Sequence, residues 1–342
     1  MVIKTTNGAA TAPHPTGGRR RDPGKVVLRT HALTKRFGSV LAVDGLDIDV
    51  RAGEVLGFLG PNGSGKSTTV GMILGLIKPT AGKVEFHDQD LARYRTDASV
   101  NRSIGAIIET PAFYPFLSGR DNLRALAIAA GGVPEERIDE LLDKVGLTER
   151  AKSAFKTYSL GMKQRLGIAS TLLTDPDLVI LDEPTNGLDP SGQREVRELI
   201  PRLAREGRAV LLASHLLNEV EQVCDRVAII RRGQLLQFGA VADLLRRGAF
   251  IEVVLPLPDL ERAAAILRDL PFVGRVAIDN SRLHVVAHEE HGGEINRALA
   301  NAGLYAVAIV PRKSRLEDVF LEMTEDETPR DERGAVDDAA AA

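Results

Sequence analysis

The stretch Gly60-Pro61-Asn62-Gly63-Ser64-Gly65-Lys66-Ser67 decides how the rest of this sequence is interpreted. The apolar run 54–59 precedes it, and residues 70–77 follow with apolar side chains at helical spacing. The pattern G-x-x-x-x-G-K-S between a strand and a helix is typical of loops whose backbone N–H groups hold phosphate at a helix N-terminus. We therefore predict a phosphate-binding loop in which Lys66 reaches the β- and γ-phosphates and the Ser67 hydroxyl binds Mg²⁺. The alternative is a glycine-rich turn that contains Lys-Ser by chance.

A pair of carboxylates supports the first interpretation. The run 178–181 is entirely apolar, as is 209–213, and both predict buried parallel strands. Asp182 and Glu183 follow the first of these strands. Asp182 can hold Mg²⁺ and Glu183 can polarise an attacking water as a general base. The alternative is that these acids cap the next helix.

Further segments resemble the motifs of the ABC ATPases. Tyr158-Ser159-Leu160-Gly161-Met162-Lys163-Gln164-Arg165 resembles the signature motif, usually L-S-G-G-Q followed by a basic-Gln-Arg run. Asn186-Gly187-Leu188-Asp189 resembles the D-loop, and Ser214-His215 resembles the switch histidine. Phe37, before Gly38, resembles the aromatic residue that stacks on adenine. The resemblance covers about 26–242 in the family's motif order.

The resemblance implies an α/β P-loop NTPase fold with a helical subdomain, and the cofactors ATP and Mg²⁺. It implies a dimer, with a homodimer favoured, in which each ATP lies between the phosphate loop of one subunit and the signature segment of the other. His215 is then expected to contact the γ-phosphate and to hold the water and Glu183 in register as the catalytic pair. The residues expected to contact nucleotide are Phe37, Gly60, Pro61, Asn62, Gly63, Ser64, Gly65, Lys66, Ser67, Thr68, Ser159, Gly161 and Asp189. The expected Mg²⁺ ligands are Ser67, Glu109 and Asp182.

Two departures from the family pattern point to one branch of it. The signature has Tyr158, Leu160 and Met162 where Leu, Gly and Gln are common, and Glu109 stands where Gln is usual. Glu109 still offers oxygen to Mg²⁺, although it could equally face solvent. The run 107–115 and this signature are similar to the bacitracin-exporter branch. The C-terminal run 316–321 is similar to the daunorubicin-resistance ATPases. These groups pair with separate ABC-2-type permeases.

Four regions are predicted along the chain. Residues 1–25 are predicted to be a disordered polar tail with Arg19-Arg20-Arg21, which lacks the apolar stretch of an export signal. The ABC ATPase domain covers 26–242, and 325–342 form an acidic, disordered tail. Residues 249–324 predict a small α+β domain of ferredoxin-like order, β-α-β-β-α-β. Its predicted elements are strands at 251–255, 274–278, 282–286 and 304–310, with helices at 260–270, 294–302 and 315–323.

Composition limits the partners. The net charge is −3, aromatic residues are 4% and Trp is absent, so we predict no nucleic-acid partner. Cys224 is the single cysteine, which excludes an internal disulfide. No run is long enough to span a bilayer, so if the protein serves a membrane, another chain must cross it.

The predicted function is therefore the ATP-hydrolysing subunit of an exporter of a drug, peptide antibiotic or lipid, peripheral on the cytoplasmic face of the membrane. The aromatic cluster 113–117 would dock on the permease, or else form local core. One alternative is a soluble ABC ATPase with a non-membrane partner, although the interval from Lys66 to Ser159 is too short for the coiled coil of the DNA-repair type. Another is nucleotide binding without turnover, against which Glu183 argues. The C-terminal domain is expected to act as a dimer contact or as a brake.

Overall fold

The computed structural model describes residues 21–93, 97–108, 111–247, 250–312, 315–317, 319 and 320. The strands are β1 Val26–Phe37, β2 Val40–Leu46, β3 Asp49–Arg51, β4 Val55–Leu59, β5 Ala81–Phe86, β6 Gln89–Asp90, β7 Ile104–Ile107, β8 Leu178–Asp182, β9 Ala209–Ser214, β10 Arg226–Arg231, β11 Gln234–Ala240, β12 Phe250–Val254, β13 Arg275–Asp279, β14 Arg282–Val286 and β15 Ala308–Arg312. The helices are α1 Lys66–Ile73, α2 Ala98–Arg102, α3 Gly119–Ala129, α4 Glu135–Lys144, α5 Leu160–Thr171, α6 Pro190–Arg205, α7 Leu217–Val223, α8 Val241–Arg247, α9 Leu260–Arg268 and α10 Gly292–Asn301.

A six-stranded sheet in the order β11-β10-β4-β9-β8-β7 forms the centre of the large domain. Its strands are parallel except β11, which pairs antiparallel with β10. Every residue of β4, β8 and β9 is buried, which explains their uninterrupted apolar sequences. Leu59 pairs with Ser214 and Asp182 pairs with Ala213. The phosphate loop, the Asp-Glu pair and the Ser-His pair therefore all lie at the carboxyl ends of neighbouring parallel strands.

An antiparallel sheet in the order β2-β1-β5-β6, with β3 on β1, packs beside it. The alternating pattern of residues 46–50 predicts one continuous strand, which is wrong, because β2 ends at Leu46 and β3 begins at Asp49. The Thr30 hydroxyl explains the break. It donates to the Leu46 carbonyl at 2.8 Å and accepts from the Ile48 N–H at 3.0 Å, so a side chain bonds these two backbone groups between the strands.

Residues 119–145 and 163–174 are predicted from their sequence to be helical, and the observed helices differ from these stretches in two places. Gly131 and Gly132, with φ of +90° and +94°, separate α3 from α4. Helix α5 starts at Leu160 because the Ser159 hydroxyl accepts from the Met162 N–H and caps its N-terminus.

The C-terminal sheet has the order β13-β14-β12-β15 and is antiparallel throughout. With α9 and α10 it forms the predicted ferredoxin-like arrangement around one apolar cluster. Asn280 and Ser281 have φ of 45° and 63° in the tight turn between β13 and β14. The last strand begins at Ala308 rather than at Leu304, because Leu304 is buried and its N–H bonds to the Leu299 carbonyl at the end of α10.

The chain then returns to the large domain. Leu316 is fully buried in the core cluster that contains α7, and its N–H donates to the Glu221 carboxylate at 3.0 Å. Phe320 packs against the same cluster. Residues 316, 317, 319 and 320 are helical, and the remainder of the predicted helix 315–323 lies mostly outside the described residues. None of the helices in the described part of the chain is long and apolar enough to cross a membrane.

Candidate nucleotide-binding site

The glycine-rich loop turns sharply between β4 and α1 against a fixed backbone. A Cβ on Gly60 would lie 2.3 Å from the Ile230 carbonyl oxygen. Gly65 has φ of +107°, and a Cβ there would lie 2.6 Å from the Ala42 carbonyl oxygen. Both positions therefore require glycine. The helix that follows begins at Lys66, so its unpaired N–H groups and partial positive charge lie at the loop.

Lys66 is buried at the base of this loop. Its Nζ donates to the Gly60 carbonyl at 2.6 Å and to the Pro61 carbonyl at 3.4 Å, and it lies 3.6 Å from the Glu183 Oε1. A buried ammonium must be held by acceptors or by a counter-charge. The arrangement thus holds a positive charge where a phosphate oxygen can replace a protein acceptor.

Glu183 contacts both the phosphate loop and the segment that follows β9. It has φ of +49°, an uncommon conformation for this residue type, and its N–H donates to the Ala213 carbonyl at 2.9 Å. The His215 Nδ1 lies 2.7 Å from the Glu183 Oε2. One carboxylate is therefore shared between a lysine and a histidine, with its backbone in a strained region that functional sites often contain.

A cleft of about 530 Å³ opens above these groups. Its lining residues are Ala42, Asn62, Gly63, Gly65, Lys66, Ser67, Thr68, Leu160, Gln164, Asp182, Glu183 and Asn186. Most of the predicted nucleotide contacts in the loop, together with Asp182 and Glu183, therefore lie in one cavity. Ser67 and Asp182 contribute a hydroxyl and a buried carboxylate, which are oxygen donors of the kind that Mg²⁺ takes.

Ser159 and Leu160 of the signature segment are exposed at the N-terminus of α5. Ser159 is exposed and caps the helix, and Gly161 is buried against Gly192 of α6. Asp189 caps α6 by accepting from the Gly192 N–H at 3.2 Å. None of Ser159, Gly161 and Asp189 lines the described cleft. A single chain therefore leaves these three predicted contacts outside its own cavity.

Among the described residues, Phe37 is a further predicted nucleotide contact that does not line the cleft. Phe37 ends β1, is 49% exposed and has the Lys35 Nζ 4.8 Å from its ring centroid. Glu109 lies outside the described residues, so its predicted contact with Mg²⁺ stays a prediction.

Sequence reasoning missed four lining residues: Ala42, Leu160, Gln164 and Asn186. Gln164 is buried, and within the described part of the chain its Nε2 finds no acceptor. Helical spacing could have found it, because positions i and i+4 share a helix face and Leu160 begins the signature helix. Ala42 could not have been found, because only the pairing of β2 brings it to the loop.

Comparisons with known proteins agree with this geometry. Residues 43–186 match the family model described as ABC transporter. The chain is 42% identical over 305 residues to the uncharacterized ABC transporter ATP-binding protein YhcH of Bacillus subtilis (strain 168), covering 88% of this chain and 96% of that protein. It is 39% identical over 300 residues to the bacitracin transport ATP-binding protein BcrA of Bacillus licheniformis, covering 87% and 97%. A solved structure described as the ATP binding subunit of an ABC transporter superposes with a TM-score of 0.58 at 31% identity, covering 64% of this chain and 92% of that one.

The predicted family and the predicted similarity to bacitracin-exporter ATPases are both confirmed by these matches. The aligned lengths exceed the large domain, so the similarity to YhcH and BcrA extends into the C-terminal sheet. The chain belongs to the ATP-binding proteins of ABC transporters and, as a member of that family, binds and hydrolyses ATP.

Proposed function

We propose that this chain hydrolyses ATP in the cleft above Lys66 and thereby drives export through a separate membrane permease. The observation that carries the proposal is the Glu183 carboxylate, which lies 3.6 Å from the Lys66 Nζ and 2.7 Å from the His215 Nδ1 at the open edge of the sheet. A carboxylate in this position is suited to take a proton from water beside a bound phosphate.

In the proposed reaction Lys66 binds the β- and γ-phosphate oxygens, and the loop N–H groups bind the remaining phosphate oxygens. Water attacks the γ-phosphorus, the bond to the ADP oxygen breaks, and Glu183 takes the water proton. His215 holds Glu183 by the 2.7 Å contact. In the proposal it also contacts the γ-phosphate. The products are ADP and phosphate.

The Mg²⁺ site proposed here uses Ser67 and Asp182, which line the same cleft. Bound Mg²⁺ would neutralise phosphate charge that develops during the transfer. Asp182 is the last residue of β8 and is almost completely buried. Glu109 is retained as a third proposed ligand.

We propose that a second copy of the chain completes each site. Ser159 and the Gly161 N–H lie at the N-terminus of α5, where four helix N–H groups lack helical partners and attract an anion. These groups lie outside the cleft of their own chain. Hydrolysis then depends on closure of two chains, because the γ-phosphate otherwise lacks these donors.

The proposed permease contact is the exposed aromatic surface formed by Tyr114, Phe116 and Leu117. Tyr114 is 67% exposed and Phe116 is 78% exposed. Phe113 belongs instead to the core, with its ring 5.1 Å from that of Phe155. The local-core alternative therefore holds for Phe113, whereas Tyr114 and Phe116 form an apolar patch of the kind that marks protein contacts.

The experiment is co-purification of the chain with its permease from membranes. Phe116→Asp is expected to remove the permease from the purified complex and to leave ATP binding intact. Tyr305→Asp is the matched control, because Tyr305 is equally exposed, at 76%, on the C-terminal module. Retained association of the Phe116 variant would contradict the docking surface.

The proposed cargo follows from the similarity to BcrA, whose name assigns it to bacitracin transport. We propose a peptide antibiotic or a compound of similar amphipathic character, and a peripheral position on the cytoplasmic membrane face. In a strain that expresses the chain with its permease, Glu183→Gln is expected to abolish resistance while protein levels stay the same. Unchanged resistance would contradict a role in export.

The proposed domain division places the ATPase at 26–242 and the ferredoxin-like module at 249–324, between tails at 1–25 and 325–342. The module is anchored through Leu316, which is buried in the core cluster of the ATPase and bonds to Glu221 of α7. Because α7 follows His215 directly, this contact favours a regulatory role for the module. Deleting 249–342 and measuring the ATPase rate distinguishes a brake, which predicts a faster rate, from a dimer clamp, which predicts a slower one.

A further inference from the structure

A buried acidic side chain lies behind the proposed catalytic pair and takes no part in the reaction described above. Glu219 is in the first turn of α7, four residues after His215, and only 4% of its surface is exposed. A buried carboxyl group is costly unless other groups bond to it. Its position therefore requires an explanation from its contacts.

The first contact fixes the segment that carries His215. The Ser214 hydroxyl donates to the Glu219 Oε2 at 2.7 Å, and the same hydroxyl accepts from the Leu216 N–H at 3.1 Å. Ser214 and Leu216 are the two neighbours of His215. One carboxyl group thus holds the backbone on both sides of the histidine through a single fully buried hydroxyl.

A second interaction of Glu219 involves the segment that carries Glu183. The side chain of Thr185, which is buried two residues after Glu183, lowers the pKa of Glu219. Burial raises the pKa of Glu219 above its ordinary value, and the Glu183 carboxylate raises it further. Ser214, Thr185 and Arg197 act in the opposite direction on that pKa. Glu219 is therefore close to both segments of the proposed site.

We propose that Glu219 is a positioning residue for ATP hydrolysis, which holds the segments of His215 and Glu183 at the separation their contact requires. The proposal rests on the roles proposed above for these two residues. The 2.7 Å contact between the His215 Nδ1 and the Glu183 Oε2 depends on two loops that leave different strands. Small displacements of such groups lower the rate strongly without preventing substrate binding.

The test compares two substitutions at position 219 in the full-length chain. Glu219→Leu removes the acceptor, and we expect kcat to fall at least about tenfold while KM for ATP stays within about twofold. Glu219→Gln keeps an oxygen that accepts from Ser214, and we expect kcat within about threefold of the parent. Asn218→Ala, an exposed position on the same helix, is the control and should leave both constants unchanged.

Ser214→Ala is a second test in case the Glu219 variants do not fold. It removes the same hydrogen bond between Ser214 and Glu219 with the loss of only one oxygen atom. It should lower kcat to a similar extent at unchanged KM. In the double variant with Glu219→Leu the losses should not add, since both remove one interaction. Additive losses, or normal kcat in folded Glu219→Leu or Ser214→Ala protein, would overturn the proposal. So would a Glu219→Gln protein as impaired as Glu219→Leu.

Substitutions of the two proposed catalytic residues separate this proposal from the function on which it rests. If Glu183→Gln and His215→Ala hydrolyse ATP at the parent rate, the proposed catalytic pair is wrong. If both lose activity while Glu219→Leu and Ser214→Ala keep it, the catalytic pair stands and the positioning role is wrong.

Discussion

The substitution Gly60→Ala should damage the phosphate loop through space alone. The added Cβ would lie 2.3 Å from the Ile230 carbonyl oxygen and 2.6 Å from the Ser64 Oγ, whereas Cβ atoms essentially never approach within 3.0 Å of another heavy atom. The loop must therefore move by at least 0.7 Å (from 2.3 to 3.0 Å), because Ile230 belongs to β10, which is paired with a strand on each side.

Overpacking of this kind costs about 1–3 kcal/mol in the free energy of unfolding. In domains of ordinary size that corresponds to a melting temperature lower by roughly 2–10 °C. A displacement near 1 Å at a substrate-binding group lowers the rate by about 10²-fold. We therefore expect Gly60→Ala to hydrolyse ATP about 100-fold more slowly than the parent while it remains folded at 25 °C.

Two further glycines give the controls for phosphate-release and thermal-unfolding assays. Gly239 on β11 has open space around a Cβ and no positive φ, so Gly239→Ala should change neither quantity. Gly63 lies in the loop with φ of +79° but open space, so Gly63→Ala isolates the conformational cost, about 1–2 kcal/mol. A Gly60→Ala protein with parental rate and melting temperature would refute the reasoning.

Three other changes test separate parts of the structure. Chelation of divalent cations should abolish phosphate release. Asp182→Asn should raise the Mg²⁺ concentration for half-maximal rate at least about tenfold. An unchanged Mg²⁺ requirement would contradict the assignment of Asp182 as a Mg²⁺ ligand. Leu316→Ala should cost about 2–5 kcal/mol of stability in thermal unfolding, because Leu316 is fully buried, and an unchanged melting temperature would show that this contact does not hold the module. Hydrogen bonds from Lys83 and then His31 lower the pKa of Glu85 from 4.5 to about 2. Because the folded-state pKa is depressed, the stabilisation is complete above pH about 4.5 and is lost as the pH falls toward 2. Glu85→Gln should therefore weaken the pH dependence of the free energy of urea unfolding in that window. An identical pH dependence in the variant would contradict the ion pairs.

The motifs predicted the central sheet well because each lies at the end of a buried parallel strand. Residues 54–59 and 178–181 are too apolar for an exposed strand, so their place in the sheet and the position of Asp182 follow from sequence alone. The cleft was less accessible to prediction. Ala42 is brought to Gly65 only by the pairing of β2 with β1, which is a contact between distant segments.

The boundaries that sequence missed depend on side-chain bonds that replace backbone ones. The Thr30 hydroxyl bonds to the backbone of Leu46 and of Ile48 where β2 ends and before β3 begins, and neither hydrophobic pattern nor propensity predicts those bonds. Glu219 escaped notice for a related reason. It looks like an ordinary acid in the first turn of a helix, and only the fold shows that it lies on Ser214 rather than in solvent.

The most direct test of the account is phosphate release by Glu183→Gln with Mg²⁺ and saturating ATP, followed by measurement of the bound nucleotide. Removal of a positioned general base lowers rates by about 10²–10⁴-fold. The account predicts a loss in that range together with ATP, rather than ADP, retained by the protein. Phosphate release at the parental rate would contradict the assignment of Glu183, and with it the central claim that this cleft hydrolyses ATP through the carboxylate shared by Lys66 and His215.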